Sequence, residues 1–246
     1  WLFALAVSFV SCDDWLDKTP KDRLYPDVYF KTEDELRLFT NQFYNNLVPS
    51  AVDIYSESSD LIVKSDLMLE MSGQRIIPDE GNGWNFTALR DINFYLQYSH
   101  NCTEVNARNR YDGVARFFRA YFYFEKVKRY GDIPWYDKAL DSDDPELYKA
   151  RDSREFVMQK MLEDLDFAIA NLPKTKNAYV LTRWTALALK SRVCLFEGTF
   201  RKYHGLEDYE KYLNACVSAS ETFMNESGYT LYKSGSTPYR DLFASI

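Results

Sequence analysis

The chain has 246 residues, of which 46% are hydrophobic and 17% aromatic, so it can bury a substantial core and lacks the composition of a disordered protein. Acidic residues outnumber basic ones by 37 to 30, which gives a formal charge of -7. The chain therefore lacks the diffuse positive field that nucleic-acid binding requires, and we expect no nucleic-acid partner.

The first residues resemble the start of a bacterial lipoprotein. Residues 1–10 contain a single polar residue, Ser8, and the run is too short to cross a bilayer as a helix but suits the hydrophobic region of a secretion signal. Ser11 and Cys12 follow, an order that resembles the lipobox, in which the cysteine is acylated. We therefore predict that residues 1–11 are a signal-peptide remnant, that Cys12 is the lipidation site, and that residues 12–246 form one domain.

A short helix and a long irregular segment come next. Thr32 and Glu35 have the spacing of a capping box, and apolar residues follow at helical intervals until Pro49. Residues 50–83 are rich in Ser, Asp, Gly and Pro without a sustained period, which predicts a long loop. Long ordered loops are often functional.

Two further helices are predicted, one over residues 84–106 and one over residues 112–129, from apolar residues at helical spacing. The motif Tyr-Gly-Asp-Ile-Pro-Trp then occupies residues 130–135. We expect Gly131 and Pro134 to end the helix and Trp135 to pack in the core.

The second half of the chain predicts three more helices. Asp152 and Glu155 are placed to cap a fourth helix, Thr182 opens a fifth that is expected to close at Gly198, and a sixth covers residues 209–223. Helices of this length with short connections must bury their apolar stripes on one another. The predicted fold is therefore mostly α, an α-solenoid of antiparallel helix hairpins with long irregular loops.

Several segments together resemble the SusD/RagB family. They are the lipoprotein start at residues 12–20, the block at residues 116–135 that contains the Tyr-Gly-Asp-Ile-Pro-Trp motif, and the helix and turn at residues 183–204. The resemblance implies a tetratricopeptide-like α-solenoid. Family members are usually longer, so residues 12–246 are expected to be the N-terminal part of a SusD-like domain whose C-terminal portion is missing.

The resemblance also implies a function. Such a protein is an outward-facing, lipid-anchored lipoprotein of the cell outer membrane, which captures oligosaccharides or polysaccharides and delivers them to a SusC-like TonB-dependent transporter. No catalysis and no cofactor are implied. A second hypothesis is a lipid-anchored helical-repeat adaptor that binds protein or peptide partners, because tetratricopeptide-like grooves commonly do so. A third is a lipoprotein glycosidase.

Trp84, Asn85 and Arg75 are the candidate ligand-binding residues. At the edge of the long loop, the ring of Trp84 can stack on a pyranose while the amide of Asn85 bonds its hydroxyl groups. The alternative is that Trp84 packs in the core at a helix start. Arg75, together with Asp79 and Glu80, can bond sugar hydroxyls, although a solvated loop explains these residues equally well.

No catalytic or metal site is predicted. The chain has 2 His, His100 and His204, and no HExxH, GxSxG or P-loop pattern. A glycosidase needs two carboxylates roughly 5–10 Å apart, and no pair stands out among the 37 acidic residues. Cys102, Cys194 and Cys216 form no CxxC or Cys/His cluster, so neither a zinc site nor a complete disulfide framework is indicated.

Overall fold

The computed structural model describes residues 29–49, 72–76 and 83–244. Cys12 and the predicted signal remnant lie outside the described residues, as does most of the predicted loop over residues 50–83. Within the described ranges the secondary structure is helical, and the only β-pairing there is an isolated antiparallel bridge between Ile133 and Asp152. In chain order the α-helices are α1 (Glu33–Leu47), α2 (Thr87–Tyr98), α3 (Val105–Tyr130), α4 (Arg154–Asn171), α5 (Arg183–Tyr203), α6 (Tyr209–Glu226) and α7 (Pro238–Ala244).

The predicted solenoid of helix pairs is confirmed. In the α3–α4 pair, Gly113 faces Leu172 and Arg119 contacts Asp164, so residues early in one helix meet residues late in the other. The α5–α6 pair has the same antiparallel arrangement, with Ser191 bonded to Ser220 across it. α1 and α2 both pack against α3 and against each other. One continuous core runs through α1 to α5, and α6 contributes Tyr212 to it.

The capping box at the start of α1 forms as predicted. The side chain of Thr32 accepts a hydrogen bond from the backbone N–H of Glu35, whose carboxylate accepts from the backbone N–H of Thr32 in return. Two otherwise unpaired donors of the first turn are thereby satisfied. Leu36 and Phe43 then bury the inner face of the helix.

The predicted boundary between the second and third helices was wrong. α2 ends at Tyr98, a 3₁₀ turn over Ser99–Asn101 follows, and α3 already begins at Val105. Cys102 is fully buried, and its backbone N–H closes the 3₁₀ turn on Ser99. Cys102 lies in the turn but continues the apolar spacing of the helices on either side. Apolar spacing alone therefore does not reveal where α2 ends and α3 begins.

The cap of α4 and the end of α5 also differ from the predictions. Ser153, rather than Asp152 or Glu155, caps α4 by accepting from the N–H of Phe156. α5 continues past Gly198 to Tyr203. A Cβ at Gly198 would lie 2.7 Å from Leu213 Cδ2 of α6. Gly198 therefore allows two helices to approach closely, and does not end one.

A buried ion pair joins α3 to α4. Arg119 donates from Nε to Asp164 Oδ2 at 2.6 Å and from Nη2 to Asp164 Oδ1 at 2.8 Å. The two side chains are 9% and 3% exposed. Burial by itself lowers the pKa of Arg119, but the hydrogen bonds and charge of Asp164 outweigh burial and leave that pKa raised.

A second buried ionic cluster joins α4, α5 and α6. Glu197 is fully buried, and its carboxylate accepts from Arg154 Nε and Arg201 Nε, both at 2.8 Å. Arg201 also pairs with Glu155, which accepts from the hydroxyl of Tyr212 at 3.2 Å. One carboxylate thus holds two guanidinium groups between the helices.

The three cysteines of the described residues are free thiols, and two of them, Cys102 and Cys194, are buried. Burial raises the pKa of Cys194 to about 12, so at about pH 8 the reactive thiolate fraction is about 10⁻⁴. We expect iodoacetamide to alkylate the partly exposed Cys216 well before Cys194, as measured by peptide mass spectrometry. In guanidinium chloride the two thiols should react alike, and equal rates in the native protein would contradict the packing of α5 on α6.

Among the described helices, none combines the length and the apolar character that a membrane span requires.

Candidate functional site

A pocket of about 610 Å³ opens between the start of α2 and the connection from α3 to α4. Its walls come from three segments: residues 84–93, residues 134–140 and residues 147–151. The described residues that line it are Trp84, Phe86, Thr87, Leu89, Arg90, Asn93, Pro134, Tyr136, Lys138, Leu140, Leu147, Lys149, Ala150 and Arg151. Its size and its mixture of aromatic and polar side chains are typical of a small-ligand site.

The Tyr-Gly-Asp-Ile-Pro-Trp motif shapes one wall of this pocket. Gly131 ends α3 with a φ of 71°, a left-handed conformation that glycine adopts at little cost. Trp135 is buried and stacks on Tyr123, with ring centroids 4.2 Å apart. The predicted structural roles of Gly131 and Trp135 are confirmed, and the extended chain beyond them presents alternate residues to the pocket.

Two side chains of the helices hold that extended wall in place. Asn93 of α2 donates from Nδ2 to the carbonyl of Tyr136 at 2.8 Å, and its Oδ1 accepts from Arg119 at 3.2 Å. The hydroxyl of Tyr123 accepts from the backbone N–H of Tyr136 at 2.7 Å. Through Asn93, the wall is thus connected to the buried ion pair between α3 and α4. Contacts with the core therefore fix its position.

The third segment is tied back to the same wall. Lys149 donates to the carbonyl of Trp135 at 2.6 Å and pairs with Asp152 at 2.9 Å. Asp152 in turn accepts from the backbone N–H of Trp135 at 2.7 Å. The connection between α3 and α4 is therefore a folded element with its own hydrogen bonds. Its polar groups are fixed before any ligand arrives, which lowers the entropy cost of binding.

Trp84 lies at the rim of the pocket with 40% of its surface exposed. Its ring packs edge-on against Phe86 and Tyr130, with centroids 5.3 Å and 4.9 Å away. The guanidinium of Arg151 lies 4.9 Å from the indole centroid. Lys126 donates to the carbonyl of Gly83, and burial together with the charge of Arg129 lowers the pKa of this lysine.

The other two candidate residues lie differently. The side chain of Asn85 accepts from the backbone N–H of Thr87 at 2.8 Å, which satisfies a donor in the first turn of α2. Arg75 is exposed in the segment 72–76 and is not among the described residues that line the pocket. Asp79 and Glu80 lie outside the described residues. The structure therefore brings Trp84, but neither Asn85 nor Arg75, to this pocket.

Sequence reasoning missed most of the polar lining, namely Arg90, Asn93, Lys138, Lys149 and Arg151. Between α3 and α4 the sequence contains Asp141, Asp143 and Asp144 next to Pro145, and an acidic run of this kind is typical of a solvated loop. In the structure, Asp144 caps a 3₁₀ turn over Pro145–Tyr148. Alternation of Pro134, Tyr136, Lys138 and Leu140 was the one available signal, since period two predicts a strand-like wall.

A second, more polar cavity of about 480 Å³ lies on the other side of the 134–140 segment. Asp112, Arg116 and Arg119 line it together with Asp137 and Lys138. Burial raises the pKa of Asp112, while hydrogen bonds from Ser99 and Tyr95 act in the opposite direction. Within the residues that the structure describes, no group of three or more His, Cys, Asp or Glu side chains is arranged to hold a metal ion.

Comparisons with known proteins agree on one family. A SusD-like sequence-family profile, described as starch-binding and associating with the outer membrane, matches residues 44–183. SusD-like protein P2 of Formosa agariphila is 27% identical over 218 residues, covering 80% of this chain and 43% of that protein.

Solved structures show the same fold. A SusD-like protein from Bacteroides fragilis superposes with a TM-score of 0.70 at 23% identity, covering 92% of this chain and 44% of that one. A crystal structure with a xylogluco-oligosaccharide gives a TM-score of 0.62 at 22% identity, covering 85% and 43%. The chain thus spans less than half the length of each of these proteins.

Proposed function

Because this chain belongs to the SusD-like family, described as starch-binding and associating with the outer membrane, we propose that it is a glycan-binding protein without catalytic activity. The observation that carries the proposal is the pocket at Trp84, in which an aromatic platform faces preorganised polar side chains. The C–H face of a sugar ring packs on an aromatic ring, and its hydroxyl edge accepts and donates hydrogen bonds.

The described lining supplies both kinds of contact. Trp84 and Tyr136 supply aromatic surface, while the exposed arginines Arg90 and Arg151 supply donors. The related structure that carries a xylogluco-oligosaccharide supports this class of ligand. We therefore keep Trp84 as a ligand-binding residue. Asn85 and Arg75 remain proposed contacts for a longer glycan that extends beyond the pocket rim.

We expect Trp84→Ala to weaken glycan binding by about ten-fold or more, because a central aromatic anchor contributes a large share of the binding energy. Isothermal titration calorimetry on the full-length protein, with a glycan selected on a polysaccharide panel, measures this loss. Tyr179→Ala is the matched control, since Tyr179 is 90% exposed and is not part of the described lining. Unchanged affinity of the Trp84 variant would contradict the proposed site.

The cellular setting is the second part of the proposal. Cys12 carries lipid that anchors the protein in the outer membrane, facing outward, and the captured oligosaccharide passes to a SusC-like TonB-dependent transporter. The lipobox-like order of Ser11 and Cys12 and the family description support this arrangement. Mass spectrometry of the mature N-terminus, with Cys12→Ser as the control, tests the anchor. Copurification from detergent-solubilised membranes tests the transporter, and its absence would oppose the delivery role.

A further inference from the structure

The lining of the Trp84 pocket has an unusual charge for this chain. Four of its described residues are basic, namely Arg90, Lys138, Lys149 and Arg151, and no Asp or Glu is among those that line it. The chain as a whole carries a formal charge of -7. The carboxylates of Asp112 and Asp137 line the separate cavity behind the 134–140 segment. That cavity also contains Arg116, Arg119 and Lys138, so both signs of charge meet there, whereas the described lining of the Trp84 pocket is basic without an acidic side chain.

Two of the four cations are held by carboxylates outside the lining. Lys138 pairs with Glu146 at 3.0 Å and with Asp144 at 3.5 Å. Lys149 pairs with Asp152 at 2.9 Å. These lysines are compensated, and their main effect is to fix the connection between α3 and α4.

The two arginines are far less compensated. Arg90 lies 4.0 Å from Asp141, whose side chain is 86% exposed, and an exposed pair at that distance is strongly screened by water. Arg151 has no carboxylate within ion-pairing distance in the described part of the chain, and its described contact is with the ring of Trp84. Arginine binds carboxylate and sulfate with parallel hydrogen bonds from its planar fork.

From this arrangement we infer that the pocket binds acidic glycans, whose sugar residues carry a carboxylate or a sulfate group, and that Arg151 is the residue that selects them. The inference rests on the proposed glycan-binding function. A sugar that contacts the exposed part of the Trp84 indole within the pocket has Arg151 beside it, because the guanidinium lies 4.9 Å from the centroid of the same indole. Carboxylate and sulfate groups can each offer two acceptor oxygens to a guanidinium, so the arrangement predicts an anionic substituent of either kind.

The test compares glycans that differ only in charge. Polygalacturonate is paired with its fully methyl-esterified form, and carrageenan oligosaccharides are paired with their desulfated forms, so the two pairs distinguish carboxylate from sulfate. Calorimetry with the full-length protein at constant ionic strength gives each affinity. We expect the charged member of at least one pair to bind about ten- to a hundred-fold more tightly.

Arg151→Gln then assigns the effect to one residue. Glutamine retains hydrogen-bonding capacity without charge, so in this variant the ratio of the affinities for the charged and uncharged members should fall to about one. Arg192→Gln is the matched control, because Arg192 is exposed on α5 and does not line the pocket.

Equal affinity within both pairs, or an unchanged preference in the Arg151 variant, would overturn the inference and leave glycan binding intact. Binding of neutral glucans alone, on a panel that also contains the charged glycans, would do the same. If no glycan on the panel binds, the proposed function fails together with the inference.

Discussion

Replacing Asp164 with alanine is expected to lower the free energy of unfolding by about 3–5 kcal/mol. Asp164 is the only carboxylate that the described residues place within 4 Å of Arg119, and both partners are almost completely buried. Its removal leaves a guanidinium that is only 9% exposed without a carboxylate partner. The cost of an uncompensated buried charge exceeds that of losing hydrogen bonds alone.

Urea denaturation followed by circular dichroism measures the change, and an unchanged m-value shows that the same surface is exposed on unfolding. Asp166→Ala is the matched control on the same helix. The Asp166 side chain is 57% exposed and pairs with Lys190, so its loss should cost about 1 kcal/mol or less. A similar cost for both variants would show that the Arg119 pair is not desolvated.

A double variant separates the charge from the space that it fills. Arg119→Met combined with Asp164→Leu removes both charges and keeps the volume apolar, so it should be clearly more stable than Asp164→Ala alone. It should also weaken glycan binding, because Arg119 no longer holds Asn93, whose amide positions the carbonyl of Tyr136 in the pocket wall. Restored stability with full glycan affinity would show that this connection does not position the wall.

The helical fold could be predicted from the sequence because its signals are local. Each of these signals depends on residues a few positions apart. They are the capping box at Thr32, the helix end at Gly131 and the apolar stripes of α3 to α6. Prediction failed where a tertiary contact overrode a local signal. Glycine is a residue type that often ends a helix. Gly198 instead lies within α5, where its small size allows close contact with Leu213 of α6.

The candidate site was harder to predict because it depends on contacts between distant residues. Trp84 was identified by residue type and position at a loop edge. Arg151 is near it only because the connection after α3 folds back through Asp152, whose carboxylate binds the backbone of Trp135. Asp164 and Glu197 are of residue types that usually lie on the surface. Asp164 is buried because it pairs with Arg119, 45 positions away. Glu197 is buried because it pairs with Arg154, 43 positions away, and with Arg201, four positions further along α5.

Glu197→Ala is the second substitution for which we expect a loss of about 3–5 kcal/mol in the free energy of unfolding. Glu197 is fully buried, and it is paired with Arg154 of α4 at 2.7 Å and with Arg201 of α5 at 2.8 Å. Alanine at this position leaves Arg201 paired with Glu155, which is 44% exposed, and leaves Arg154 without a carboxylate partner among the described ion pairs. Mutual repulsion of the two cations adds to the desolvation cost.

Two comparisons distinguish the charge of Glu197 from its packing. Glu221→Ala, on the exposed face of α6, should change stability by no more than about 0.5 kcal/mol. Glu197→Gln keeps the shape and one acceptor oxygen, so it should fall between wild type and Glu197→Ala when measured by urea denaturation. A glutamine variant as stable as wild type would show that hydrogen bonding, rather than charge, holds α4 and α5 together. Because α6 contacts the same cluster through Tyr212 and Glu155, hydrogen exchange in α6 should accelerate in the alanine variant but not in the Glu221 control.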